Sequence, residues 1–354
     1  MFKKILNILF AGALILLSSC APATQPVTTA GTVAATEPPA PSETPEPIHI
    51  KVGILNFMSN SPLFIAQEEG YFAEQGLEVE FVNFGTSERD MIPGLMQGQL
   101  DVGTVAVGTS TLNGIAQGSN ARYVADKGFI NPEASCSTDG WVVRSDLLEA
   151  GALDTLAGLK GLNFTFSTGN TLEYAADLLL QNAELTRDDI QILDIRDQAT
   201  RIEALGNGSL DITVTGEPWI TRAQQAGVAD LWLPLSELIP NYSIGTILFS
   251  PSMLERDREV GVRFMTAYLK AIQQFNQGKT DRNVEIIAGY TQLSPEEIKA
   301  ICWPSYQPDG KIYTQGLMDF QQWAFEMDYI DTPLEIEQIW DPQFVDAANA
   351  ILNK

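Results

Sequence analysis

The feature that most constrains this chain is a short signature that occurs twice. Leu95-Met96-Gln97-Gly98-Gln99-Leu100-Asp101-Val102 and Leu205-Gly206-Asn207-Gly208-Ser209-Leu210-Asp211-Ile212 share four identities at one constant offset. In each copy a glycine ends a helix, where a left-handed cap is needed, and Leu-Asp leads into an apolar strand. A common helix-to-strand turn can recur by coincidence, but the context on both sides matches. Around the first copy the pattern alternates: strands at 50–55, 77–84, 102–107 and 122–125, helices at 62–75, 89–97 and 112–117. Around the second it alternates again: helices at 153–159, 172–183 and 198–205 and from 218, strands at 163–167, 190–195, 211–214 and 231–235. Alternation of this kind predicts α/β architecture with a mostly parallel sheet, here in two equivalent lobes.

After Pro240 the pattern changes. A strand at 243–249 precedes helices at 260–277, 295–302, 316–327 and 342–352. The strand is expected to return to the first lobe and the helices to pack on it. The second lobe is then an insertion, with lobe 1 at 48–144 and 240–354 and lobe 2 at 145–239. Two crossings between lobes make a hinge, and a hinge makes a cleft.

Residues 1–19 read as an export signal. Lys3 and Lys4 precede an apolar stretch from Ile5 to Leu17, which is short for a membrane span, and Leu17-Ser18-Ser19-Cys20 closes it with small residues. This resembles the bacterial lipoprotein signal, in which the cysteine is lipidated and opens the mature chain. Residues 20–47, dominated by Pro, Thr, Ala, Ser and Glu, cannot bury a core and read as a semi-extended tether. The expected location is extracytoplasmic, lipid-anchored to the cell membrane.

Composition excludes several functions. Lys+Arg number 21 against 45 Asp+Glu, a formal charge of −24, so the chain repels phosphate backbones and no nucleic-acid partner is expected. One histidine and three cysteines leave little for His-based catalysis, metal clusters or zinc sites. No phosphate loop, dinucleotide fingerprint or hydrolase elbow occurs, so no cofactor, metal or catalytic residue is expected. With Cys20 taken by lipid, Cys136 and Cys302 remain in an oxidising compartment, as a disulfide or as two free thiols. His49, at the start of the first strand, is expected to be exposed.

Gly53-Ile54 followed by Ser61-Pro62-Leu63-Phe64-Ile65-Ala66-Gln67-Glu68-Glu69-Gly70-Tyr71-Phe72-Ala73-Glu74-Gln75-Gly76-Leu77-Glu78-Val79 resembles the opening of the extracytoplasmic solute-binding proteins for nitrate, sulfonates, taurine and the thiamine pyrimidine precursor, the SsuA/ThiY-like family. Gly98-Gln99-Leu100-Asp101-Val102-Gly103 and Gly208-Ser209-Leu210-Asp211, with Glu217-Pro218-Trp219 beyond, fit the same pattern. The resemblance spans about 48–276. It implies a periplasmic-binding-protein type II fold, two α/β lobes joined by a two-crossing hinge with a helical C-terminal extension. It further implies delivery of a small solute to an ABC permease, by a protein expected to be monomeric.

In open α/β sheets ligands bind beyond the carboxyl ends of the strands. The loops there, where the resemblance also places ligand contacts, supply Asn56, Phe57, Ser59, Asn60, Val107, Thr109, Ser110, Lys127 and Phe129 from lobe 1. Lobe 2 supplies Ser167, Thr168, Gly169, Asn170, Thr171, Glu217 and Trp219, and the crossings Trp141 and Tyr242. The N–H groups of 167–171 precede a helix, and two readings stand together: they receive an acceptor group of the ligand, or Asn170 as N-cap and Glu173 at the third helical position satisfy them internally. If Glu173 caps, it also offsets the helix dipole and disfavours a fully anionic ligand. Glu217 is either an ordinary acidic residue at a helix start or a partner for an amino or amidine group. Phe57, Phe129, Trp141, Trp219 and Tyr242 either stack on a planar ligand or pack in the core. Lys127 is the single basic residue in these loops, and nothing resembles an arginine clamp. The balance favours a neutral or cationic solute, a pyrimidine-like or other nitrogen heterocycle. The alternatives are an anion of the sulfonate, taurine or nitrate type, a ligand-sensing module, and, least favoured, an enzyme resembling the pyrimidine synthases.

Overall fold

The computed structural model describes residues 46–55, 57–85 and 88–354. The export signal, Cys20, the tether up to residue 45 and Asn56 lie outside the described residues. No helix among the described residues is long and apolar enough to cross a membrane.

In chain order the strands are β1 (Ile48–Ile54), β2 (Leu77–Asn83), β3 (Val102–Ala106), β4 (Arg122–Asp126), β5 (Phe129–Ile130), β6 (Asp139–Arg144), β7 (Asn163–Thr165), β8 (Gln191–Ile192), β9 (Ile212–Gly216), β10 (Ala229–Pro234), β11 (Tyr242–Ser243) and β12 (Gly245–Phe249). They form two five-stranded sheets, ordered β2-β1-β3-β12-β4 and β10-β6-β9-β7-β8, and a two-stranded ribbon of β5 and β11. The sheets share one plan. In the first, β1 runs parallel to β2 and β3, while β12 lies antiparallel between β3 and β4. In the second, β7 runs parallel to β8 and β9, while β6 lies antiparallel between β9 and β10. Each sheet thus receives its antiparallel strand from a crossing, β6 on the way out and β12 on the way back. The ribbon pairs the two crossings themselves, Tyr242 with Ile130 and Ser243 with Phe129. This is the periplasmic-binding-protein type II fold.

The repeated signature has a structural cause. Gly98 and Gly208 sit at φ +70° and +78°, the left-handed region that glycine enters without steric cost. The aspartate that follows then ties the start of its strand to that strand's parallel neighbour, β1 or β7. Asp101 Oδ2 accepts from Lys51 N at 2.8 Å while Oδ1 accepts from Arg256 Nη2 at 2.9 Å. Asp211 Oδ2 accepts from Asn163 N at 2.8 Å while Oδ1 accepts from Arg144 Nη1 at 2.9 Å. In both lobes the arginine belongs to the antiparallel strand or the chain that follows it: Arg144 ends β6, and Arg256 comes after β12.

Several expectations need correction. β6 belongs to the second sheet, so a boundary at 144/145 cuts through that sheet. Both sheets are mostly parallel as expected, each with a single crossing strand running the other way. The strand expected at 190–195 pairs only over Gln191–Ile192, at an exposed edge. The helix expected at 153–159 is a 3-10 turn, Leu156–Leu159, tight enough that a Cβ on Gly158 would meet Ala152 O. A further helix, Asp281–Tyr290, is capped by Thr280, whose side chain accepts from Asn283 N.

The first sheet packs on the helix Arg258–Phe275, which buries Val262, Phe264, Met265, Tyr268, Leu269 and Ile272, and the last helix, Gln343–Leu352, covers it with Phe344, Val345 and Ala348. The helix Thr314–Glu326 does not rest on the first lobe alone. Its Trp323 Nε1 donates to Asp177 of the lobe 2 helix Thr171–Asn182 at 2.8 Å, and Phe320 and Trp323 lie against Tyr174. Cys136, in the outgoing crossing, and Cys302, in the C-terminal extension, form a disulfide.

Candidate functional site

The carboxyl ends of the parallel strands of both sheets face one junction, and most of the expected site residues gather there. Two loops meet across it. Thr109 N and Oγ1 donate to Gly169 O at 3.0 and 3.1 Å, Gly108 bridges to Asn170, and Thr171 Oγ1 donates to Val107 O at 3.3 Å. Thr171 also shares a hydrogen bond of 3.1 Å with Tyr242 Oη. The backbone after β3 is therefore sewn to the backbone after β7.

Asn170 is the N-cap of the helix Thr171–Asn182, its Oδ1 accepting from Leu172 N at 2.9 Å. Glu173 is 1% exposed, and its Oε2 accepts from Gly169 N at 2.6 Å. Ser167 is half-buried, while Thr168 and Ser110 are exposed. Beside these loops Lys127, 7% exposed, donates from Nζ to Ser59 Oγ at 3.0 Å. Ser59 O in turn accepts from Tyr306 Oη at 2.8 Å. Asn60 is fully buried; its Nδ2 donates to Leu55 O at 2.6 Å, and its Oδ1 has no partner among the described residues.

Three carboxyls act electrostatically on Lys127: Asp126, which opens the candidate loop 126–129 named from the sequence, and Glu88 and Asp139, which the sequence reading passed over. Glu88 opens the helix Glu88–Met96 after β2, and its Oε2 accepts from Ala106 N at 2.9 Å. Asp126 ends β4, with Oδ2 accepting from Gly128 N and Gln307 N, and Oδ1 without a partner among the described residues. Asp139 begins β6 in the other lobe and accepts from Thr138 Oγ1 at 2.8 Å. Burial pushes Glu88 and Asp126 up to about 7 and Asp139 up to about 6, the last aided by the negative charge of Glu217. Burial pulls Lys127 down to about 8, against the attraction of all three carboxylates. Carboxyls from both lobes thus act on one ammonium. A group that donates hydrogen bonds or carries positive charge is complementary to that arrangement.

The remaining residues divide. Glu217 accepts from Thr221 N and Oγ1 at 3.1 and 2.8 Å and from Cys302 N at 3.3 Å, which makes it a helix-start acceptor that also holds the C-terminal extension. Trp219 is half-buried, with the Arg222 guanidinium 4.9 Å above its ring. Trp141 is fully buried on β6, edge-on to Phe164, and its Nε1 has no partner among the described residues. Tyr242 is buried against Tyr174. Phe129 lies beside Tyr313, and Phe57, 40% exposed, is the aromatic most open to solvent among these. Both described cysteines are spent in the disulfide, and His49 is exposed beside Glu78.

The fold recurs in proteins of low sequence identity. The periplasmic aliphatic sulphonate binding protein SsuA from Escherichia coli superposes with a TM-score of 0.68 at 17% identity, over 84% of this chain and 93% of that one. The periplasmic nitrate-binding protein NrtA from Synechocystis PCC 6803 gives 0.68 at 14% identity, over 88% and 90%. The desulfurization enzyme DSZB gives 0.60 at 14% identity, over 86% and 99%. No curated protein matches the sequence. The model of the NMT1/THI5-like family matches residues 58–277, well over half of the chain and across both sheets. The chain belongs to the NMT1/THI5-like family.

Proposed function

We propose that the protein is an extracytoplasmic, lipid-anchored receptor that takes a small organic solute between its lobes and delivers it to an ABC permease. The favoured solute is a pyrimidine-like or other nitrogen heterocycle, neutral or cationic. One observation carries the solute preference: buried carboxyls of both lobes, Glu88 and Asp126 from one and Asp139 from the other, act on the buried ammonium of Lys127. An amino-substituted ring offers an acceptor to Lys127 and N–H donors to the carboxylates at once. The family, the two-lobed fold and the lipobox-like Leu17-Ser18-Ser19-Cys20 support the transport role.

A second reading has its own support. Lys127 is a buried cation whose hydrogen bond goes to a neutral hydroxyl, and structural neighbours bind sulphonate and nitrate, so an anionic solute is the competing assignment. An enzymatic role, as in the neighbour DSZB, has less support, because the described cysteines are disulfide-bonded and the one histidine is exposed away from the junction. The deciding experiment is a thermal-shift and calorimetric panel on the mature protein. Aminopyrimidines are expected to raise the melting temperature and ethanesulfonate, taurine and nitrate are not. Micromolar binding of a sulfonate with no response to any heterocycle refutes the solute assignment.

A further inference from the structure

We infer that Glu173 sets the charge selectivity of the cleft by seating its own carboxylate where an anionic solute would otherwise be received. The inference rests on the cleft being the solute site proposed above, and it concerns which solutes are refused. The helix Thr171–Asn182 has 12 residues, and its N-terminus opens onto the loop 167–170. Such an end carries free N–H donors and a positive partial charge, and is suited to an anion. In this protein the end is already occupied by the chain itself. Asn170 takes Leu172 N, and Glu173 reaches past the N-cap to take Gly169 N, one residue upstream of the group an ordinary capping box would bond.

The carboxylate is not free to leave. Its Oε1 accepts from Tyr329 Oη at 2.8 Å and pairs with Arg187 Nη1 at 2.8 Å. Arg187 is itself fixed by two bonds to Asp177, of 2.8 and 2.7 Å. Tyr329 is anchored to lobe 1, its carbonyl accepting from Asn113 Nδ2 at 2.8 Å. A buried negative charge is thus held by groups of both lobes against the loop whose Gly169 carbonyl meets Thr109 across the junction. An incoming sulfonate or nitrate finds Leu172 N and Gly169 N already bonded and a like charge beside them. A neutral or cationic ring meets neither obstacle.

The test compares anion binding by the wild-type protein and Glu173→Gln, which keeps the shape and one acceptor while removing the charge. Wild type is expected to show no thermal shift or calorimetric response to nitrate or ethanesulfonate at millimolar concentration. Glu173→Gln is expected to bind them roughly tenfold tighter or more, the scale of a partly buried helix-terminus charge effect. The double variant Glu173→Gln/Arg187→Gln, which leaves no unpaired guanidinium, is expected to keep the gain. Micromolar anion binding by wild type overturns the inference whether or not the variants fold. Equal anion affinity in wild type and Glu173→Gln also overturns it, as does a gain that vanishes in the double variant. The aminopyrimidine titration of wild type decides the solute assignment separately, so the two can fail independently.

Discussion

Glu88, Asp126 and Asp139 hold their protons to higher pH in the folded chain than in the unfolded one, because burial penalises their charged forms. The sign follows. Stability from a raised carboxyl is fully present below its unfolded value and is lost as pH climbs through its folded value, here about 6 to 7. A cationic solute reverses that loss, since it favours the ionised carboxylates. The rise in melting temperature on adding an amidinium-bearing heterocycle, charged throughout the range, should therefore be larger at pH 8 than at pH 5. Asp139→Asn should flatten the difference. A larger rise at pH 5 would remove these carboxyls from solute recognition. At this scale the sequence was least informative. Glu88 opens a helix just beyond the loop that follows β2, and Asp139 sits on a strand that was read as a crossing, so neither stood among the loop residues considered.

Elements were more legible, and the reason lies in period. The alternation at β1–β3 and the long apolar face of Arg258–Phe275 are strong local signals, and those elements formed nearly where expected. β6 was missed because it follows a polar run with no helix before it, and only pairing with β9 and β10 makes it a strand. The loop positions of the cleft were readable because strand ends face one way in such sheets. Whether Trp141 and Tyr242 stack or pack was not readable, because burial depends on the lobe-to-lobe junction. The duplicated Gly-x-Leu-Asp was readable as a repeat, and its mechanism appears only in three dimensions. Asp211 ties β9 to β7 and to Arg144, so Asp211→Ala leaves the Asn163 N–H without its acceptor and takes one acceptor from Arg144, which keeps Asp146 and Gly208 O. That should cost about 1–3 kcal/mol, measured by urea unfolding. Asp211→Asn, which keeps one acceptor, should cost less. Equal losses in the two variants would show that the acceptor bonds are not what the aspartate contributes.

The whole molecule is held by more than its two crossings. The C-terminal extension reaches lobe 2 from two sides. On one, Glu217 accepts from Cys302 N and Arg222 pairs with Glu297 at 2.9 Å. On the other, Tyr329 and Trp323 bond Glu173 and Asp177. The disulfide fixes the first of these attachments to the outgoing crossing, across a sequence separation of 166. Cross-linking so long a loop restricts the unfolded chain, so Cys136→Ser/Cys302→Ser should lose about 2–5 kcal/mol of stability. The loss should also be local in the folded state, because Cys302 presents the N–H that Glu217 accepts. Hydrogen exchange should accelerate around 130–138 and 297–306 in the double variant, while β1, β3 and β12, buried in the first sheet, keep their protection. Reduction of the wild-type protein should reproduce both changes. If the melting temperature falls but exchange quickens evenly over the chain, the bridge acts only on the unfolded state. The grip of the extension on lobe 2 then comes from Glu217, Arg222, Tyr329 and Trp323 without help from the bridge.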